Sequence, residues 1–160
     1  MLDVLRRHLT LVCAVGSGLA GGVFLAFSTF VMSSLGRLPD RQGLTAMQQI
    51  NRGAPNPVFM TVLFGTAGAC VVLGVSAIRH LDEPTAPWQL AGSACYLVAI
   101  ALTVTYHVPH NDALAALDPA AAQAGVLWRD YLRDWTTWNH ARTVACAAAA
   151  TLFTVAARLD

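Results

Sequence analysis

The chain has 160 residues, of which 56% are hydrophobic and only 12% are charged. Soluble globular domains carry about 25% charged residues, so this composition argues against a soluble protein and favours a membrane protein. Ten basic and nine acidic residues leave a formal net charge of +1. Nucleic-acid binding needs a clustered basic face, so we expect no nucleic-acid partner.

The first apolar run extends from Leu9 to Leu35 without a charged residue. It is far longer than the roughly 7–15 apolar residues of a signal peptide, and it predicts a membrane helix that is retained. Gly18 and Gly22 are four residues apart in this run, a spacing that lets a second helix backbone approach closely. That second helix belongs either to the same chain or to another copy in a homo-oligomer.

Loop one, about residues 36–56, contains an amphipathic pattern. Leu44, Met47 and Ile50 recur at a spacing of three, which predicts a short helix on the membrane surface. The third apolar run ends just before Pro109, which we expect to prevent the regular helix from continuing. Asn111 is then expected to cap a short separate helix.

An amphipathic segment precedes the last apolar run. Its stripe has spacings of three and four residues, which places on one helix face Trp128, Tyr131, Trp135, Trp138 and Arg142. Residues 143–157 carry no charge, but they are too few to cross a bilayer, which takes about 20 residues. The crossing must therefore begin near Trp135 and include Asn139 and Arg142.

These patterns predict an all-α fold, a four-helix transmembrane bundle with a short amphipathic helix in loop one and a long amphipathic extension before helix 4. We expect one integral membrane domain over residues 1–160, with helices at about 9–34, 57–78, 88–106 and 135–157. Four crossings place both termini on one side and bring loops one and three together on the other. We expect a multi-pass protein of a bacterial plasma membrane.

Ionisable side chains in membrane helices are costly and usually face an interior or a water-filled cavity. A histidine or a carboxylate can act as a base, and an arginine can stabilise negative charge on an oxygen atom. The candidate catalytic residues are therefore His107, Asp112, His140 and Arg142. Amides can orient a polar ligand and tryptophans can border a flat apolar one, so the candidate substrate-binding residues are Gln48, Asn51, Asn111, Trp135, Trp138 and Asn139.

Each of these residues also has a purely structural interpretation. The tryptophans can form an interfacial belt, the histidines can be solvated helix ends, and an arginine can extend to the lipid headgroups. A metal ion is a further alternative because imidazoles are competent ligands, although no recognised spacing supports it. Its ligands would be His107, His110 and His140.

The order and spacing of four stretches resemble the DUF1772 family, the anthrone-oxygenase-like integral membrane proteins. The stretches are GVFLAF (residues 22–27) followed by Val31 and Met32, MQQIN (47–51), HVPHNDAL (107–114), and Trp135 with WNHAR (138–142). The family often has Asn where this chain has His107.

The resemblance implies a four-helix membrane protein and, for some members, oxidation of anthrones to anthraquinones by molecular oxygen. By that resemblance we expect no cofactor, O2 as co-substrate, and a flat, lipophilic, phenolic or polyketide-type substrate. The alternative is a non-catalytic membrane module that binds a membrane lipid, a quinone-like ligand or a protein partner. Removal of one base should abolish catalysis, whereas a binding module should depend on its tryptophans.

Overall fold

The computed structural model of the protein describes the backbone of residues 2–159 and the side chains of residues 4–159. This part of the chain is helical apart from short connections, and three of its helices contain a π-helical turn. The helices are α1 (Leu2–Ala26, π turn Phe27–Val31, Met32–Leu35), α2 (Asp40–Gly53), α3 (Pro57–Met60, π turn Thr61–Gly65, Thr66–Arg79), α4 (Ala86–Leu102, π turn Thr103–His107, Val108–Ala115) and α5 (Ala124–Leu159).

Four helices, α1, α3, α4 and α5, are long and apolar enough to cross a membrane. Helix α2 is amphipathic, because it buries Leu44, Met47 and Gln48 and exposes its charged face. Helix α5 joins the predicted amphipathic extension and the last span in one helix of 36 residues. The predicted all-α, four-helix transmembrane bundle is therefore confirmed for the described part of the chain.

Two apolar cores hold the bundle together. Helix α5 packs against α1 and α4, while α3 packs against α4 and α1. The core between the four long helices includes Phe24, Leu63, Leu73, Tyr96 and Phe153. A second core attaches α2 to one end of the bundle and includes Met32, Leu44, Met47, Leu114, Trp128 and Trp135.

A glycine sets the contact between α1 and α3. A Cβ atom added to Gly16 would overlap Oγ1 of Thr66, so only glycine allows the two helices to cross this closely. Gly18 and Gly22, the pair with the predicted packing spacing, face away from the bundle with no heavy atom within 4 Å of an added Cβ. Their use in a homo-oligomer stays a prediction.

The sequence prediction for the end of the third membrane helix was wrong. Helix α4 does not stop before Pro109 but continues to Ala115. The backbone N–H of Val108 donates to the oxygen of Thr103, five residues earlier, so a wider π turn directly precedes the proline. The wider turn leaves room for the proline ring, which in a regular α-helix clashes with the carbonyl group four residues earlier. Asn111 therefore lies inside the helix and does not cap a separate one.

Replacing Gly16 by Ala should destabilise the protein by about 1–3 kcal/mol, because the buried Thr66 cannot move away without displacing α3. The matched control is Gly18→Ala, which adds the same methyl group to the exposed side of α1. It should leave the stability unchanged or raise it slightly, since Ala is the better helix former. The measurement is thermal unfolding in nanodiscs, and equal melting temperatures for the two variants would contradict this helix crossing.

Candidate functional site

A cavity of about 470 Å³ lies at the end of the bundle that α2 covers. Its wall is mostly apolar and includes Val23, Phe24, Phe27, Met47, Ile50, Phe59, Met60, Leu63, Phe64 and Trp135. The polar residues in the wall are few, namely Asn51, Asn56, Thr103, His107, Asn111 and Arg142. An apolar cavity with a few convergent polar groups is the usual form of a small-molecule site.

Arg142 brings a guanidinium group into the cavity wall, although the residue is only 4% exposed. One N–H donates to Oγ1 of Thr103 at 3.2 Å and another donates to Oδ1 of Asn139 at 2.6 Å. The guanidinium carbon lies 4.1 Å from the ring centre of Phe24 and 5.3 Å from that of Trp135, within range of cation–π attraction. In the described part of the chain no carboxylate forms an ion pair with this guanidinium. The cavity therefore offers an unneutralised positive charge to an anionic or polar oxygen atom.

Asn139 holds this arginine in place. Its Oδ1 accepts from the guanidinium, while its Nδ2 donates to the backbone oxygen of Phe24 and to Oγ of Ser28, at 2.8 Å each. Asn139 is fully buried and lies behind the cavity wall, so it supports the arginine and has no surface on the cavity.

His107 is 1% exposed, and its ring stands edge-on to that of Trp135 with ring centres 5.0 Å apart. Its Nδ1 bonds to the backbone oxygen of Leu102 at 3.1 Å. A carbonyl oxygen only accepts, so Nδ1 carries the hydrogen and Nε2 of the neutral ring carries a lone pair. Nε2 has no hydrogen-bond partner among the described residues. The cavity wall thus includes a histidine whose second ring nitrogen is unpaired within the described part of the chain.

A hydrogen-bond network closes the end of the cavity next to α2. Oδ1 of Asn111 accepts from the hydroxyl of Tyr131 at 2.8 Å and from the indole N–H of Trp135 at 2.9 Å. The same hydroxyl accepts from Nδ2 of Asn51 at 3.4 Å. The network joins α2, α4 and α5, fixes the Trp135 ring, and leaves the amide hydrogens of Asn111 for an acceptor in the cavity.

Three polar residues follow one face of α4 at intervals of four: Thr103, His107 and Asn111. With a rise of about 1.5 Å per residue, each step is about 6 Å, so the three residues cover roughly 12 Å of the wall. Arg142 lies at the level of Thr103, and Trp135 contacts both His107 and Asn111. A cation, a base and an amide therefore follow one another along the cavity.

Five of the ten predicted site residues lie outside the cavity: the buried Asn139 and Gln48, and three on the outer surface. Asp112 and His140 are exposed, and Trp138, which is 44% exposed, contacts Tyr106 on the outer surface. The reason is helical geometry, because each residue turns the side-chain direction by about 100°. Asp112 is one residue from Asn111, and His140 is two residues from Arg142, and both of those neighbours line the cavity.

Gln48 is buried but serves the fold. Its amide nitrogen, Nε2, donates to the backbone oxygens of Leu114 and Leu117 at 2.9 Å each. These two bonds attach α2 to the end of α4 and to the turn that follows it. The structure therefore brings five of the predicted residues together around the cavity: Asn51, His107, Asn111, Trp135 and Arg142.

The histidines considered as metal ligands do not converge. His107 lines the cavity, whereas His110 stacks on Tyr106 at the exposed surface with ring centres 3.9 Å apart, and His140 is exposed on α5. Between residues 4 and 159 no group of three or more His, Cys, Asp or Glu side chains is placed to hold a metal ion.

Among the wall residues that the sequence did not predict, three contact the predicted ones. Phe24 lies against the guanidinium, Phe27 packs on Trp135 with ring centres 5.6 Å apart, and Thr103 accepts from Arg142. The spacing of four between Thr103 and His107 was a usable signal. A phenylalanine in an apolar helix gives no comparable signal, because most such residues face lipid or core.

The fold and the cavity define a class, a four-helix membrane protein with an internal site at one end of its bundle. The model of the anthrone oxygenase family matches residues 58–152, more than half of the chain. The chain therefore belongs to the anthrone oxygenase family, and the resemblance noted in its sequence is confirmed. The match includes α3, α4 and the part of α5 that carries Trp135 and Arg142, while α1 and α2 precede it. No curated protein and no solved structure matches the chain.

Replacing Asn139 by Ala should lower the free energy of unfolding by about 1–3 kcal/mol, because a buried guanidinium N–H loses its acceptor. The matched control is His140→Ala, its exposed neighbour, which should change the stability by less than about 0.5 kcal/mol. Both variants are measured by thermal unfolding in nanodiscs. A His140 variant as unstable as the Asn139 variant would show that this face of α5 is placed incorrectly.

Proposed function

We propose that the protein is an anthrone oxygenase-like monooxygenase that oxygenates a flat phenolic or polyketide-type compound. One observation carries the proposal. The same apolar cavity is lined by His107, whose Nε2 has no hydrogen-bond partner among the described residues, and by Arg142, whose guanidinium has no carboxylate among them. A base and a cation in dry surroundings are what carbanion chemistry requires, and family membership supports the same reaction class.

The reaction begins with a carbon acid. An anthrone carries a CH2 group across one six-membered ring from its ketone, so loss of a CH2 proton gives a carbanion delocalised onto the ketone oxygen. In the proposed reaction His107 removes that proton through Nε2, and the guanidinium of Arg142 donates hydrogen bonds to the developing oxyanion. Arg142 binds Thr103 of α4, and His107 lies about one helical turn further along the same helix. This separation suits groups on opposite sides of one ring.

Molecular oxygen then completes the oxidation as co-substrate, and the proposed sequence uses no cofactor. The carbanion gives one electron to O2, and the substrate radical and superoxide combine to form a C–O bond. Protonated His107 returns its proton to the peroxide anion. The same residue removes the remaining C–H proton as the O–O bond breaks, and passes it to the departing hydroxide. The balance is anthrone plus O2 giving anthraquinone plus one water.

The other wall residues have supporting roles in this proposal. Phe24 and Phe27 keep water away from the carbanion, which bulk water would reprotonate. Trp135, fixed by Asn111, provides a rigid flat surface beside the base. Asn51 and Asn111 present amide groups at the opposite end from the guanidinium, where a phenolic hydroxyl of the substrate can bind.

The first test is oxygen consumption and quinone formation by the protein in nanodiscs with emodin anthrone. The wild type should exceed the uncatalysed rate with and without a chelator. His107→Gln should lower kcat by about 10²–10⁴-fold, the usual contribution of a general base. Arg142→Gln should lower it by about 10²–10³-fold, as loss of an oxyanion donor does.

Two variants outside the cavity serve as controls. His140→Gln and Asp112→Asn change exposed polar residues next to the site in sequence, and both should retain the wild-type rate. Wild-type activity in His107→Gln would rule out His107 as the base. Loss of activity with the chelator would mean that a metal ion takes part and that the proposed proton transfer is wrong.

A binding module is the competing outcome of the same experiment. Such a protein would consume no oxygen above the uncatalysed rate, yet the anthraquinone emodin would raise its melting temperature. That stabilisation would depend on Arg142 and Trp135, which contact the cavity, and would persist in His107→Gln. This result would replace the oxygenase proposal.

A further inference from the structure

We propose that the ligand enters from the bilayer through a slot between α1 and α3, bordered by Val23 and Phe64. The ligand class that follows is a flat phenolic ring system that can carry an apolar chain, with the chain remaining in the slot. This inference rests on the proposed function, because it specifies the substrate class of the same cavity.

The cavity reaches the molecular surface at the slot. Val23 of α1 is 39% exposed and Phe64 of α3 is 47% exposed, and both residues line the cavity. Both also belong to spans of high mean hydropathy, 2.0 for α1 and 2.2 for α3. The surface onto which the slot opens is therefore the hydrocarbon region of the membrane.

The slot results from the way in which α1 and α3 cross. Helices α1 and α3 pack tightly against each other at Gly16 and Thr66. Val23 lies seven residues beyond Gly16, roughly 10 Å along the helix toward the cavity. On α3 the cavity residues Met60 and Leu63 lie on the same side of the crossing. Beyond this crossing the cavity lies between the two helices, with wall residues on both.

The polarity of the cavity indicates how a ligand lies in it. Oxygen atoms are attracted to Arg142 and to Asn111, whereas the slot offers only apolar surface at Val23 and Phe64. A chain in the slot exchanges lipid for a wall that is equally apolar, so its length should matter little. A closed cavity of about 470 Å³ would instead reject a long chain.

A second opening lies at the membrane surface, where Pro55 and Asn56 are exposed. The side chain of Asn56 is already engaged there, since its Oδ1 accepts from the backbone N–H of Phe59 at 2.9 Å and caps α3. This opening leads to water, whereas the slot leads to the compartment in which a lipophilic ligand accumulates. The test separates the two routes.

The experiment compares three substrates in nanodiscs: an unsubstituted anthrone, the same anthrone with a dodecyl chain, and a sulfonated anthrone that stays in water. Wild-type kcat/KM for the first two should agree within about threefold, because the chain remains in apolar surroundings. Val23→Trp, which fills the slot, should lower kcat/KM for the dodecyl compound by about tenfold or more. The control Val15→Trp adds the same bulk to a 62% exposed position of α1 outside the cavity and should change nothing.

The outcomes separate the slot from the proposed function. Turnover of the plain anthrone without turnover of the dodecyl compound would overturn the slot and leave the oxygenase proposal intact. Equal effects of the two tryptophan variants would also overturn the slot. Efficient turnover of the sulfonated compound would place the entrance at the opening near Asn56 instead.

If the proposed function is wrong, the slot can still be tested by ligand binding. If no anthrone is oxidised, the thermal stabilisation of the protein by the plain and the dodecyl anthraquinone is compared. Similar stabilisation of the wild type by both, with selective loss for the dodecyl compound in Val23→Trp, supports the slot without catalysis. Stabilisation by the plain compound alone, or by neither, overturns it.

Discussion

The site depends on one constraint: a membrane-spanning helix carries a guanidinium group that has no carboxylate partner between residues 4 and 159. A charge at such a depth is tolerated only where other polar groups surround it. Arg142 meets this condition through Thr103 on α4 and Asn139 on α5, and Asn139 is itself bonded to Phe24 and Ser28 on α1. Three helices are therefore joined at the cavity by the groups that make the charge tolerable.

At the other end of the bundle a buried arginine does have a carboxylate partner. Arg6 is also buried there, but it forms an ion pair with Glu83 at 3.0 Å and donates to Thr85 and Gln89. That arginine is neutralised, and its bonds tie α1 to the start of α4. Among the described residues, the arginine with a carboxylate partner thus makes a structural contact, and the arginine without one lies beside the cavity. This difference supports the proposed contact of Arg142 with a ligand.

Much of the fold could be predicted because hydropathy and length are properties of single segments. The position of Arg142 in the last membrane helix followed from the shortage of apolar residues after it, and the amphipathic α2 followed from a spacing of three. The path of α4 could not be predicted, because Pro109 normally ends a helix and the π turn that accommodates it has no sequence signature. The cavity residues were distinguished from their neighbours only by the structure, since one step along a helix separates Asn111 from the exposed Asp112.

The three π turns affect which residues of each helix line the cavity. Each turn contributes to the wall, through Phe27 on α1, Leu63 on α3 and His107 on α4. A π turn holds about one residue more than an α-helical turn, and it accommodates that residue without rotating the helix that follows. In α4 the turn aligns Thr103 and Asn111, which are eight residues apart, whereas in a continuous α-helix a spacing of eight turns the side chain by about 80°. The π turns therefore let side chains share one cavity wall at spacings that a regular α-helix would distribute around its axis.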